Sequence, residues 1–368
     1  MAPSKVQKSV EENRNLATMS VTEAGNVLEG LFKLPPAKAP AAVMVGNTGI
    51  GKTTVGKNAW RKVHPEGSLI VRHLSQVHPL DLGGVGIDPA TRTMYFAKPP
   101  LVEEVMALPA PRLLFLDEID RIQPIAQSAM LQLLSPERTL NGFKLEDTYV
   151  IGAANAWYCQ YTFELDRAFA SRLVMMHCIT NNDRWLQWAA DHRIHPSVLV
   201  TVACAADVLN QHTALGDGAI KVADERAWEA LSHALNAGCD PSVAELFVGQ
   251  HAGKVFKRYV NFSNDYRQQI AAVKAGKQLP ADTELPVMMG VYMAVASQME
   301  NGTDLDKVYG FLVNSDEQLG AEKSYVVGRL LTYKIPTTTL LEHKKIHALH
   351  KKLFEVFSGE NEDTPQKG

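Results

Sequence analysis

The stretch from Ala41 to Thr53, AAVMV followed by GNTGIGKT, dictates more about this chain than any other. A short apolar run ends in glycine, a tight polar loop follows, and a helix-compatible stretch begins at once. Glycines at 46, 49 and 51 let the backbone curl so that successive N–H groups converge on one point. The helix beginning near Lys52 turns the positive end of its dipole toward the same point. The product is a cradle for phosphate oxygens. The order strand, loop, helix also fixes the fold class, because it is the opening unit of a parallel sheet with helices on its faces. Gly46-Asn47-Thr48-Gly49-Ile50-Gly51-Lys52-Thr53 satisfies G-x-x-x-x-G-K-[ST] with the flanks that pattern requires, and Thr54 extends the loop into the helix.

The chain continues in the same alternation. Thr53 to Val63 reads as a helix and Leu69 to Leu74 as a second strand. Leu113 to Leu116 is wholly apolar and is expected to be buried on both faces. Pro124 to Leu134 reads as a helix, Val150 to Ala154 as a fourth strand and Val174 to Ile179 as a fifth. The third strand ends in Asp117-Glu118. A buried parallel strand delivers such residues to its C-terminal end, where ligands of these sheets bind. The motif chemistry gives each residue a task. Lys52 reaches the β- and γ-phosphates, Thr53 and Asp117 hold Mg²⁺, and Glu118 polarises the attacking water.

Composition bounds the remaining classes. The 368 residues fit two domains, or three, at roughly 150 residues each. Lys and Arg number 37 against 40 Asp and Glu, a net charge of -3, which counts against a protein that coats nucleic acid through bulk positive charge. No apolar run approaches the length of about 18 residues needed to cross a membrane. The first twenty residues lack the apolar stretch of a signal peptide. Cys159, Cys178, Cys204 and Cys239 form no CxxC pair, so neither a disulfide framework nor a structural zinc site is expected, and a reducing cytosol fits.

Residues 1–20 read as a loose polar tail, and Val21 to Lys33 as a helix ended by LPPAKAP. Asn141-Gly142 is a two-residue hairpin signal. Asp81 to Pro100 is a long connection rich in Gly and Pro that also carries Tyr95 and Phe96. Beyond about Asp183 the pattern turns helical, with Trp185, Trp188 and Trp228 as core residues, a linker at 274–280, and further helices at 286–299, 304–313, 324–331 and 340–357. In the last of these His343, His347 and His350 share a face, but no acid or cysteine completes a metal site there.

GNTGIGKT together with LLFLDEID resembles the AAA+ ATPases. HLSQVHPLDLGG (73–84), VIGAANAW (150–157), LDRAFASRLV (165–174), NNDRWLQWA (181–189) and DERAWEALS (224–232) resemble the MoxR-like branch, which includes small ATP-binding forms common in bacteriophage. The resemblance covers 40–190 most fully and fades after about 260. It implies an α/β core at 21–180, a helical lid at 181–275, a helical extension at 281–358 and a polar end at 359–368, working on ATP with Mg²⁺. It also implies roles for three more residues. Asn155 is the polar sensor that orients the lytic water. Arg172, with Arg167 as a rival, is the finger that reaches the γ-phosphate of a neighbouring subunit. Arg226 is the lid arginine, although Asp224-Glu225 stand before it where relatives often carry Ser-Pro.

A finger acting in trans requires a ring or open spiral, and a hexamer is what the resemblance implies. The implied activity is a ring motor that remodels or chaperones a protein client, with a nucleic-acid machine as the competing reading. In similar proteins the 81–100 and 141–142 positions carry insertions facing the pore or upper surface. Tyr95 and Phe96 are therefore candidates for gripping a client, against the simpler expectation that they pack the loop on its own domain.

Overall fold

The fold is described from a computed structural model, over residues 18–155, 167–179, 181–209, 211–214, 220–260, 266–332 and 334–349. Sequence expectations on Trp157, Cys159, Leu165, His350 and the end of the last helix lie outside these residues. The chain divides into two compact units, residues 1–180 and 181–368.

The first unit is built on a six-stranded sheet. Its strands are β1 (Thr18–Ser20), β2 (Ala41–Gly46), β3 (Ser68–His73), β6 (Arg112–Asp117), β9 (Thr148–Asn155) and β10 (Leu173–Ile179). They run in the order β1-β10-β2-β9-β6-β3 with every pairing parallel. Parallel strands need covering on both faces, and the sequence supplies it residue by residue. Ala41, Val43 and Val45 of β2 join one buried cluster with Leu114 and Leu116 of β6. Ala42 and Met44 join the other with Leu113 and Phe115. Each such fully buried large side chain stabilises the fold by about 1.5–3 kcal/mol.

Helix α1 (Val21–Phe32) opens with a capping box, in which Ser20 accepts from the Glu23 amide at 3.2 Å and the Glu23 carboxylate accepts from Ser20 N–H at 2.6 Å. With α2 (Lys52–Val63) it covers one face of the sheet, where Phe32, Trp60 and Tyr149 meet edge to face. Helices α3 (Pro79–Leu82), α4 (Pro100–Met106) and α5 (Pro124–Leu134) follow. Leu82, Val102, Val105, Met130 and Leu133 place all three on the cluster of the opposite face.

Three features of this unit differ from the sequence reading. Thr18–Ser20, expected in the loose tail, form an edge strand on β10 in the register Thr18↔His177 to Ser20↔Ile179. The long connection is not irregular throughout but folds into a hairpin of β4 (Val85–Ile87) and β5 (Met94–Phe96). Its simpler expected packing does not hold for Phe96, which is 69% exposed. The Asn141-Gly142 signal is realised between β7 (Thr139–Leu140) and β8 (Phe143–Lys144), with φ of 53° and 85° at the two turn residues.

The second unit is helical: α7 (Asn182–Asp191), α8 (Pro196–Cys204), α9 (Glu225–Asn236), α10 (Ala244–Val260, broken at Gly249), α11 (Arg267–Lys274), α12 (Leu285–Gln298), α13 (Leu305–Leu319), α14 (Ala321–Leu331) and α15 (Thr337–Glu342). The short α6 (Arg167–Ala170) belongs to the first unit. A ribbon of β11 (Gln211–Ala214) and β12 (Ile220–Ala223), which periodicity did not signal, interrupts the helices. The lid and extension, read from sequence as separate segments, share one continuous core running from Trp185 and Trp228 through Val291 and Tyr292 to Leu330 and Ile346. Trp188 is only partly buried against it. Tyr292 donates to Gln318 Oε1 at 2.6 Å, and the Gln318 amide pairs with both backbone groups of Leu279. The expected 340–357 helix is broken at His343, whose backbone is extended (ψ 110°), so His343 and His347 do not lie on one uninterrupted helix.

Candidate active site

The candidate residues stand at the C-terminal ends of neighbouring strands. Register aligns Gly46 of β2 with Asn155 of β9 and with Cys178 of β10, and His73 of β3 with Asp117 of β6. Gly46 has no room for a side chain, because a Cβ there would meet the Cys178 carbonyl at 2.3 Å. Gly51 caps α2 with φ 87°, a left-handed conformation that glycine adopts without steric cost. Ile50 is buried beneath the loop and fixes it to the cluster on the α1–α2 face.

Lys52 is 8% exposed, and its ammonium donates to the Gly46 carbonyl at 2.9 Å and the Asn47 carbonyl at 2.7 Å. The charge is thus held inside the curl of the loop by the loop's own backbone. Thr53 donates its hydroxyl to Asp117 Oδ2 at 2.8 Å, joining the start of α2 to the end of β6. Asp117 Oδ1 accepts from the Glu118 N–H at 3.0 Å. Glu118 itself sits in the left-handed region (φ 57°), and its Oε2 accepts from the Ser75 hydroxyl. Thr48 and Thr54 are exposed at the mouth of the loop, and Asn47 and Gly49 are half-buried.

Asn155 is held by a residue the motif reading did not single out. Asp120 Oδ1 accepts from the Asn155 backbone N–H at 2.7 Å and Oδ2 from its side-chain Nδ2 at 3.2 Å. Asp120 is 4% exposed. The signal was present as the second Asp of LDEID, three residues after Asp117, but nothing in spacing alone tied it to a strand thirty-five residues on.

Arg172 is exposed, with its Nε donating to Ser135 Oγ at 2.9 Å and Nη1 to the Ala168 carbonyl at 2.7 Å. Arg167 is exposed on α6. Arg226 belongs to the second unit, exposed in the first turn of α9. Of the two acids before it, Asp224 is engaged as the helix cap, accepting from Ala227 N–H at 2.8 Å, and Glu225 is buried.

Residues 41–173 match the family model of an AAA domain of the dynein-related subfamily. The match lies within the sheet-bearing unit and supports ATPase activity. No curated protein matches the chain. Two solved structures are similar over 96% of it. One is a candidate ATPase from Cytophaga hutchinsonii, at 13% identity, 94% of that chain and a TM-score of 0.30. The other is NtrX from Brucella abortus, at 12% identity, 72% of that chain and a TM-score of 0.38. An AAA domain implies nucleotide binding, and the match spans the glycine loop, the Asp-Glu pair and Asn155.

The oxygens of Thr53 and Asp117, 2.8 Å apart, are a hard donor pair that fits Mg²⁺, which takes few protein ligands and fills the rest from phosphate and water. No group of three or more His, Cys, Asp or Glu side chains able to cage a metal occurs among the described residues. No helix among them is long and apolar enough to cross a membrane.

The exposed hairpin has two unlike faces. Cross-strand partners share a face, and so do residues two apart. The pairs Val85↔Phe96 and Ile87↔Met94 therefore lie together, at 60%, 69%, 67% and 70% exposure. Tyr95 lies on the other face, its ring across Gly86, where an added Cβ would meet it at 2.4 Å. The tip is ordered by Asp88, whose carboxylate accepts from the Ala90 N–H at 2.8 Å and the Thr91 hydroxyl at 2.9 Å. Those bonds, the backbone one first, hold its pKa below the ordinary carboxylate value. At the base, Asn141 Nδ2 donates to the Gly84 carbonyl at 3.2 Å and the Ala97 carbonyl at 2.9 Å.

Proposed function

We propose that this protein is a MoxR-like AAA+ motor that couples ATP hydrolysis, in a ring of identical subunits, to work on a protein client. In this reading the 46–54 loop and Lys52 bind the triphosphate. Thr53 and Asp117 hold Mg²⁺, which when bound screens phosphate charge. Glu118 takes a proton from the attacking water as its oxygen bonds to the γ-phosphorus. The bond from that phosphorus to the β,γ-bridging oxygen breaks, and its electron pair leaves with ADP. Asn155 orients the water, Arg172 supplies positive charge to the neighbouring subunit's site, with Arg167 the alternative donor, and Arg226 senses nucleotide from the second unit.

The observation that carries the client reading is the exposed apolar face of Val85, Ile87, Met94 and Phe96. Four large apolar side chains in one patch mark an interaction surface, and their chemistry suits exposed apolar segments of a polypeptide. ATP turnover with Mg²⁺ is expected to rise on adding an unfolded polypeptide such as reduced casein, and the rise is expected to vanish in an Ile87→Ser/Phe96→Ser variant. Salt-sensitive stimulation by DNA and none by polypeptide would replace the client reading with a nucleic-acid machine.

A further inference from the structure

Asp120 spends both carboxylate oxygens on one residue, Oδ1 on the backbone N–H of Asn155 and Oδ2 on its side-chain NH₂. A carboxylate accepts and does not donate. Only the NH₂ side of the Asn155 amide can face it, so the carbonyl Oδ1 is turned to the other side. The backbone bond ties the carboxylate to the last residue of β9, and burial keeps solvent from competing for it. We infer that Asp120 is a positioning residue that locks the Asn155 amide with its carbonyl oxygen toward the lytic water. The inference rests on the proposed roles of Asn155 and Glu118.

The lock decides which way the water faces. With two acceptors beside it, water donates one hydrogen to Glu118 and the other to Asn155 Oδ1, and its lone pair is left for the γ-phosphorus. With the amide reversed, the NH₂ group would donate to the water oxygen and occupy the electrons that must form the bond. In the hydrolytic step Glu118 takes the first proton and returns it to solvent. The second stays on the new phosphate, so water is fully accounted for.

The test is a swap. Asp120→Asn is nearly isosteric. Its carbonyl still accepts from the Asn155 backbone, but its NH₂ faces the Asn155 side chain and turns that amide round. The expected result is a fall in kcat on the order of 10- to 100-fold, with KM for ATP and the melting temperature unchanged. Asn155→Asp alone sets two carboxylates side by side and is expected to fall similarly. The double variant Asp120→Asn/Asn155→Asp again places a donor against an acceptor with an acceptor facing outward, and is expected to recover most of the lost rate. Asp120→Asn turnover within about twofold of the parent, or a double variant no faster than the slower single one, overturns the inference. If the single variants do not fold, a folded swap within about tenfold of the parent turnover upholds the lock, a slower one overturns it, and a swap that also fails to fold counts against the lock. Asn155→Ala separates the two levels. Its retained turnover would overturn the sensor role and the lock together, whereas its loss beside an active Asp120→Asn would overturn the lock alone.

Discussion

At the scale of single residues, the glycine loop and the acid pair compress their chemistry into short spacings. Eight consecutive positions specify the cradle, and an apolar strand announces where Asp117 and Glu118 emerge. Asp120 and Arg138 each also bind a residue far away in sequence, Asn155 and Ala39, and no spacing announces those pairings. Arg138 is 3% exposed, with backbone in the left-handed region, and it donates to the carbonyls of Leu133, Leu134 and Ser135 at the end of α5. It also reaches the Ala39 carbonyl at 2.6 Å, ninety-nine residues away. A cation at a helix C-terminus that also satisfies orphan carbonyls is stabilising twice over. Burial nevertheless draws its pKa down to about 10, well above neutral pH, so it stays charged. Arg138→Leu would strip four acceptors of their donor in a buried site and is expected to cost about 2–4 kcal/mol. A urea titration of the full chain, followed by the fluorescence of its five tryptophans, checks this, and a change below about 1 kcal/mol would deny Arg138 that role.

At the scale of elements, the five longer strands were read within one or two residues of where they lie, because each is built on an apolar stretch and both faces of a parallel sheet ask for the same residues, even where β3 ends in Arg72 and His73 and β10 carries His177. The three-residue strands escaped, since a segment as short as Val85–Ile87 or Thr18–Ser20 has no period to detect. The β4–β5 hairpin shows how such a segment is held without a core of its own. Its ladder continues in the Ala97 N–H to Gly84 carbonyl bond at 3.0 Å, and Asn141 grips the two carbonyls at its base. Asn141→Gly preserves the positive φ of the 141–142 turn while removing the grip. Amide hydrogens of 84–97 are then expected to exchange about tenfold faster, in keeping with one or two hydrogen bonds lost, while those of β9 keep their protection. Equal exchange in the two proteins would show that the hairpin stands without Asn141.

At the scale of the whole molecule, turnover is proposed to need two copies. Arg172→Ala is expected to bind ATP with parental affinity and to hydrolyse it at least about a hundredfold more slowly. Lys52→Ala is expected not to bind it. Neither alone is active, yet a mixture places an intact Arg172 beside an intact Lys52 at some interfaces. Steady-state ATPase across mixing ratios should pass through a maximum, and a flat line at every ratio argues against a finger in trans. The helical half was legible as helices but not as one body, because periodicity shows which face of a helix is apolar and not which helix will meet it. Its core closes over the helix that carries Arg226 and over those beyond Leu285 without a seam. Close-packed interiors transmit strain rather than absorb it. On the proposed role of Arg226, a displacement of its helix would pass to the far helices as through a lever arm, and cutting the chain near 280 is expected to lay open the core they share rather than remove an ornament.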